Sequence, residues 1–323
     1  MLFRSKNSKK IARVVEAAPS ALPPHGSPRP PAFAQALNYH LPKLLEEIRI
    51  LDLLELYGTT VQTSRVLWVS QPTISRRYRR LAADFGLRRD RRQHWACGYG
   101  TSATMRLLRL GCRVHRLAAG VARLGSDFLH HPLLAGCPWL LPTPQRFRAA
   151  ANWLELVRQG VLDGALISGL ELEALEATEG VNRQELELLP LGELPLALGC
   201  CPDAPVLGGG VPGESISEVL VPDRIVAPGL RRLLSELGLT PRSGGNSLQT
   251  PDDWIGRIHG TSLALVVADR EADAWATLRR WPLLACPHSL VWLALPADWQ
   301  EHRVLRQTAQ ELGRLAGVQQ LEG

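Results

Sequence analysis

The chain has 323 residues, 45% of them hydrophobic and 21% charged. With a mean hydropathy of −0.05, that is the balance of a soluble globular protein with room for two or three domains. No uninterrupted apolar run approaches the roughly 18 residues of a spanning helix, which argues against a helical membrane protein. Six cysteines without a C-x-x-C argue against a zinc site or disulfide framework and read as reduced thiols in a core.

The net charge of +6 is unevenly spread. Residues 1–60 contribute +3, from eight Lys and Arg against five acids. Residues 61–123 contribute +12, from fourteen Arg, no Lys and two Asp. The remaining 200 residues contribute −9, from fifteen Arg against twenty-four acids. A strongly basic third joined to an acidic remainder suggests a polyanion-binding module carried on something else. The opening MLFRSKNSKKIARVV is basic, but no apolar core with a cleavage site follows it, so a cytoplasmic protein is expected.

Residues 17–31 hold six prolines and no periodicity, so 1–40 is expected to be a disordered tail. From Pro42 to Tyr57 the residues Leu44, Leu45, Ile48, Leu51, Leu54 and Leu56 follow a helical period, which Gly58 breaks. A short helix follows at about Thr60–Leu67. A third occupies VSQPTISRRYRRLAADFG, residues 69–86, with Ser70 as N-cap, Pro72 in the first turn and Gly86 just past the end. Val69 and Ile74 make a staple pair.

At 100° per residue Ile74, Tyr78, Leu81 and Phe85 fall on one stripe that must face a core. Gln71, Ser75, Arg76, Arg79 and Arg80 are left on the other side. Such a helix suits a major groove, its N-terminal residues at base edges and its arginines on phosphates. The competing reading is a basic, solvated surface helix. Against it, the arginines are not interleaved with acids, so they repel one another unless a polyanion is present.

Residues 88–100 (RRDRRQHWACGYG) are basic and fit a short β-wing. From Thr101, Leu107, Leu110, Val114, Leu117, Val121 and Leu124 recur at spacings of 3 and 4, with Ala103 in register, and Gly125 ends the run. This is the seam of a self-associating helix, with Arg106, Arg109, Arg113, Arg116 and Arg123 expected on its outer faces. The competing reading is a helix packed on its own domain.

Beyond Pro138 helical segments (146–159, 229–238, 251–258, 298–316) alternate with apolar runs at 164–168, 194–199, 224–226, 263–268 and 290–295. The alternation predicts an α/β domain with a mainly parallel sheet. Gly208-Gly209-Gly210 marks a joint, and His130-His131 reads as a chance surface pair.

The chain at this point resembles the LysR-type transcriptional regulators. Gly58-Thr59, Thr63-Ser64, Leu67, Ser70-Gln71-Pro72, Ser75, Leu81 and Phe85-Gly86 match that family's N-terminal pattern. Trp68 departs from it, standing in the turn where a small residue is common. Arg89-Asp90 replaces a Leu-Phe, and Arg92 matches the arginine after it. GVLDGALI (160–167) and IHGTSLALVV (258–267) are similar to later family segments.

The resemblance implies an α/β chain with a winged helix-turn-helix at 41–100 and a dimerising linker helix at 101–125. A two-lobed, periplasmic-binding-protein-like effector domain would span 138–323, its first lobe shortened. It implies a DNA-binding regulator responding to a small-molecule effector. Double-stranded DNA would meet Ser70, Gln71, Pro72, Thr73, Ser75, Arg76, Arg79 and Arg80, with Arg88, Arg89, Arg91 and Arg92 on the flanking backbone.

Helix 101–124 would form a homodimer or homotetramer. Turns at strand-to-helix junctions, with N–H groups free for an anionic ligand, make Thr143, Gln145, Ser168, Pro228 and Gly229 the candidate effector contacts. No cofactor, metal or membrane partner is expected.

Two other classes stay open. One is a small-molecule-binding or enzymatic α/β protein with a vestigial basic region; no Gly-x-Ser-x-Gly, P-loop or His-Glu-x-x-His supports it, and Asp252-Asp253 near His259 is explained more simply by helix-start acids. The other is an architectural DNA-binding protein that takes no ligand.

Overall fold

The computed structural model describes residues 36, 39–89, 97–178, 180–181, 185–201, 217–244, 251–259, 261, 263–268, 278–283 and 286–317. The proline-rich stretch and the triple glycine lie outside them.

Three helices form the head: α1 (Glu46–Tyr57), α2 (Thr60–Leu67) and α3 (Gln71–Phe85). The helical period of the first begins later than its leucines suggest. Leu44 sits in a 3₁₀ turn (Lys43–Leu45) and is 90% exposed. Gly58 ends α1 at φ +74, its N–H donating to Leu54 O at 2.8 Å. The left-handed backbone favours glycine there, and a Cβ would also push the Arg146 guanidinium aside. Thr59 caps α2, its Oγ1 accepting the Gln62 N–H at 3.1 Å. The stripe on α3 packs as its spacing requires. Ile74 and Leu81 are buried against Ile48, Leu51 and Leu54, with Tyr78 and Phe85 partly buried beside them.

Helix α4 (Ala103–Ala118) starts at Ser102, whose Oγ accepts the Met105 N–H at 3.3 Å. It stops well short of Gly125. Gly120, at φ +79, turns the chain, and the last two members of the heptad run, Val121 and Leu124, enter an extended segment. Apolar residues at positions 121 and 124 kept the helical phase by coincidence, since both are buried in the body instead.

The body is one mixed sheet with strand order β1-β2-β8-β3-β6-β4-β5 and β7 beside β3. The strands are β1 (Leu124–Ser126), β2 (Gly164–Ser168), β3 (Leu186–Cys200), β4 (Glu218–Val221), β5 (Thr240–Ser243), β6 (Ala264–Ala268), β7 (Arg279–Pro282) and β8 (His288–Pro296). β1–β2, β4–β5 and β4–β6 are parallel, but β2–β8, β3–β8, β3–β6 and β3–β7 are antiparallel. The expected mainly parallel sheet is thus corrected to a mixed one. The reason is β3, a 15-residue strand that pairs β8 along its first part and β6 and β7 along its last.

That division gives two lobes. The first holds β1, β2, β8 and the start of β3, with α5 (Ala150–Arg158), α6 (Gly169–Thr178) and α9 (Arg303–Leu315); the second holds the remaining strands with α7 (Pro228–Glu236) and α8 (Pro251–Ile258). Residues 224–226, expected as a strand, are a turn: Asp223 accepts the Ile225 N–H with Oδ1 and the Val226 N–H with its carbonyl. The second lobe's strand lies just before it, as β4.

Helix α1 belongs to two cores at once. Ile48, Leu51 and Leu54 pack in the head, whereas Leu53 and Leu56 pack with Trp153, Leu154 and Leu156 of α5. Both faces being covered, even Asp52 and Glu55 are buried, and buried carboxylates need partners.

Candidate nucleic-acid interface

Glu55 takes the Tyr99 N–H at 2.9 Å, and Asp52 meets arginines of α4 and of the segment after it. Asp52 Oδ1 accepts from Arg109 Nε at 2.8 Å, and Asp52 Oδ2 lies 3.4 Å from Arg123. Asp163 accepts from Arg116 through Nε at 2.9 Å and Nη2 at 2.6 Å, from the Arg123 N–H at 2.8 Å, and from Arg113 at 3.4 Å. Burial by itself would push the Asp163 carboxyl up. Arg116, Arg113 and the Arg123 amide outweigh that and hold it below the usual carboxylate range.

The expected arrangement of α4 is therefore inverted. Arg109, Arg113, Arg116 and Arg123 lie inside, while Leu107, Leu110 and Val114 are 69%, 39% and 45% exposed. Four of the fourteen arginines in the basic third are buried and structural, sharing two carboxylates.

The outward field belongs to α3. Gln71, Pro72, Arg76, Arg79 and Arg80 are exposed; Thr73 and Ser75 are half-buried. Arg76 has no hydrogen-bond or ion-pair partner among the described residues. Arg79 donates to Ser75 Oγ at 3.2 Å, which holds it along the helix. Arg80 lies 3.5 Å from Glu47, so part of its charge is answered within the head. Gln71 Nε2 donates to Thr60 Oγ1 at 3.0 Å, tying the start of α3 to the start of α2.

Ser70 occupies the N-cap position, but its hydroxyl makes no cap to a backbone N–H. It meets the Thr73 hydroxyl at 2.8 Å, and the Ser70 carbonyl takes the Thr73 and Ile74 N–H groups. Arg88 and Arg89 are exposed, the latter stacked 4.7 Å over the Tyr99 ring. Tyr99 is itself fixed by Glu55, Gly58 and Tyr78. Arg91 and Arg92, and the middle of the proposed wing, lie outside the described residues.

Three of the five candidate effector contacts, Thr143, Ser168 and Gly229, are engaged by the chain itself. Thr143 Oγ1 donates to Leu124 O at 2.7 Å. Ser168 is fully buried; its N–H goes to Asp127 Oδ2 at 2.6 Å and its hydroxyl to Ser289 at 2.8 Å. The N–H groups of Gly229 and Leu230 go to the two oxygens of Glu171, at 3.1 and 2.9 Å. The N–H groups expected to be free at these turns are thus occupied. Pro228 is exposed and Gln145 half-buried.

Burial pushes the Glu171 carboxyl up to about 7, with the two amides pulling the other way. The structure brings Ser168 and Gly229 to either side of the first turn of α6 and leaves Thr143 against β1. Asp127 and Glu171 were missed; the only local signals are an acid directly after β1 and one in the first turn of α6.

The histidine pair is not a surface feature. His130 is fully buried, its N–H donating to Asp127 Oδ1 at 3.0 Å and its Nε2 lying 3.3 Å from Ser289 Oγ. Nδ1 approaches Asp127 Oδ1 at 2.9 Å without hydrogen-bond direction. Burial drives His131 down to about 4. Among the described residues no helix is long and apolar enough to cross a membrane, and no cluster of three metal-ligating side chains occurs.

No protein-family profile and no curated protein matches the chain. Solved structures do. CbnR, described as a LysR family transcriptional regulator, is 14% identical with a TM-score of 0.43, over 84% of this chain and 99% of its own. CbnR in complex with target DNA gives 13% and 0.45, over 84% and 99%. HinK, a LysR family transcriptional regulator from Pseudomonas aeruginosa, gives 16% and 0.40, over 84% and 98%. The strand order and helix placement of the present chain stand on its own residues.

Proposed function

We propose that this chain is a DNA-binding transcriptional regulator of the LysR type. The observation that carries the reading is the split on α3: one stripe buried in the head, the other an exposed arginine face. No acid occurs anywhere between Gly58 and Ala83. Arg76 and Arg79 would hold phosphates or guanines, Ser75 and Gln71 would reach base edges, and Arg88 and Arg89 would take the flanking backbone. Arg91 and Arg92 extend the same basic run in sequence. Binding to duplex DNA is expected to weaken steeply with added salt, and Arg76→Ala to lower affinity. Equal binding by wild type and Arg76→Ala would remove this helix from the interface.

The regulator works as a homo-oligomer through α4. Its stripe of Leu107, Leu110 and Val114 is uncovered, and Leu107 and Leu110 border a groove of about 490 Å³ shared with Pro296 and Trp299. A narrow exposed apolar stripe on a helix suits a helix–helix seam.

A second reading, DNA binding without an effector, is favoured by one observation: Glu171, Asp127 and Ser289 already bond the groups of Ser168 and Gly229 that a ligand would use. A metabolite-dependent rise in melting temperature supports a sensor; none across a broad carboxylate and amino-acid set supports the ligand-free reading.

A further inference from the structure

Among the described residues Trp68 is the most exposed tryptophan. It is 94% exposed and sits in the turn between α2 and α3 in the left-handed region, at φ 55 and ψ 35. The turn is pinned, since the Trp68 N–H reaches Arg65 O and the Val69 N–H reaches Ser64 O at 3.1 Å. A bulky residue is disfavoured in this backbone region, where glycine is at ease, and an indole is disfavoured in water. In the free chain the ring buries almost none of its surface, so a contact that covers it would offset both costs.

What it meets follows from position and charge. Trp68 is three residues before Gln71, hence within about 11 Å of extended chain from the end of α3 that would enter a groove. The helices it joins, α2 and α3, expose Val61 (47%), Arg65, Arg76 and Arg79, and no acid occurs from Gly58 to Ala83. A flat ring with one N–H donor, on a turn between two helices that carry exposed arginines and no acid, fits a deoxyribose face and the phosphate beside it.

We propose that Trp68 is a DNA-contacting residue that packs its ring on the sugar–phosphate wall flanking the groove occupied by α3. This rests on the reading of α3 as the recognition helix, and it adds an apolar, salt-insensitive contact to an otherwise ionic interface. It also accounts for the tryptophan at a glycine-like turn, which stability alone disfavours.

The test is a titration of the full chain with a short mixed-sequence duplex at fixed low salt, comparing wild type, Trp68→Gly, Trp68→Phe and Arg76→Ala, beside thermal melts. Trp68→Gly is expected to melt higher by about 2–4 °C, because the left-handed turn relaxes. The same variant is expected to bind about tenfold more weakly, with Trp68→Phe in between because the ring remains. The added weakness should persist as salt is raised, unlike that of Arg76→Ala.

Trp68→Gly binding like wild type while Arg76→Ala is weakened would overturn the tryptophan contact alone. Arg76→Ala binding like wild type would overturn the recognition-helix reading and the contact with it. Loss of self-association in Trp68→Gly with unchanged DNA affinity would assign the ring to a second copy of the chain, and also refutes the proposal.

Discussion

Asp163 is where the fold is most exposed to a single change. It is fully buried on the loop entering β2, and its two oxygens serve Arg113, Arg116 and the Arg123 N–H. Replacing it by Asn keeps the volume and one acceptor but removes the charge. At an effective dielectric of about 20, a pair 2.6 Å apart attracts by roughly 6 kcal/mol, most of it offset by desolvation of both ions. The loss on breaking the pair is larger than the net gain of making it, because two guanidinium groups stay buried without their counter-ion.

Breaking buried pairs costs about 3–5 kcal/mol, a large share of a stability of about 5–15 kcal/mol. Urea denaturation followed by circular dichroism should therefore show Asp163→Asn destabilised by about that amount. Arg116→Met in the same background should recover part of the loss, since it removes one stranded cation. A cost below about 1 kcal/mol, or strict additivity of the two changes, would refute the account of α4 as held by this carboxylate.

Other consequences are equally direct. Gly229→Ala should destabilise by about 1–3 kcal/mol in urea melts, because a Cβ would lie 2.0 Å from Leu170 O and backbone cannot step aside. Glu171 holds its proton in the folded chain up to about 7, against an ordinary value of 4.5. Its contribution to stability is therefore full below 4.5, declines as pH rises through 4.5 to 7, and is level above. Glu171→Gln should flatten the urea midpoints across that window by up to about 1.4 kcal/mol per pH unit, leaving the similar slope of Glu55, which burial also raises to about 7. Equal slopes would contradict the burial of Glu171. Leu107→Glu with Leu110→Glu should yield a folded monomer in sedimentation, since both side chains are uncovered.

How much of this could be read from the residues depends on how far each determinant lies along the chain. The bounds of α2 and α3 were legible because their determinants are local: Gly58, Thr59, Pro72 and Gly86 punctuate, and Ile74, Tyr78, Leu81 and Phe85 repeat every three to four residues. The α/β body and the strands at 164–168, 264–268 and 288–296 were legible as apolar runs.

The facing of α4 was not legible. Its leucine stripe and its arginine stripe have the same helical period, and the choice between them is made by Asp52 and Asp163, 57 and 47 residues away from Arg109 and Arg116. Likewise nothing near Gly229 announces that Glu171, 58 residues earlier, will take its N–H. Local chemistry fixes where helices start and stop, whereas the side that goes inward is settled by distant partners.

The arginine stock is thereby divided into two kinds of work. Those on α3 face outward, and Arg76 has no partner among the described residues, which leaves it available to a polyanion. Arg109, Arg113 and Arg116 on α4, with Arg123 just beyond it, face inward and clamp two elements that local sequence would treat as separate. Arg109 binds the head through Asp52, Arg116 binds the body through Asp163, and Arg123 reaches both. With α1 lodged in both cores, the head cannot rotate on the body without exposing Leu53 and Leu56 and separating buried charges. A shift between the lobes would therefore reach α3 as movement of a rigid piece, set by where α1 and α4 are carried. For the DNA-binding oligomer proposed above, that geometry would make the spacing of two heads on DNA, rather than the shape of either head, the controlled quantity.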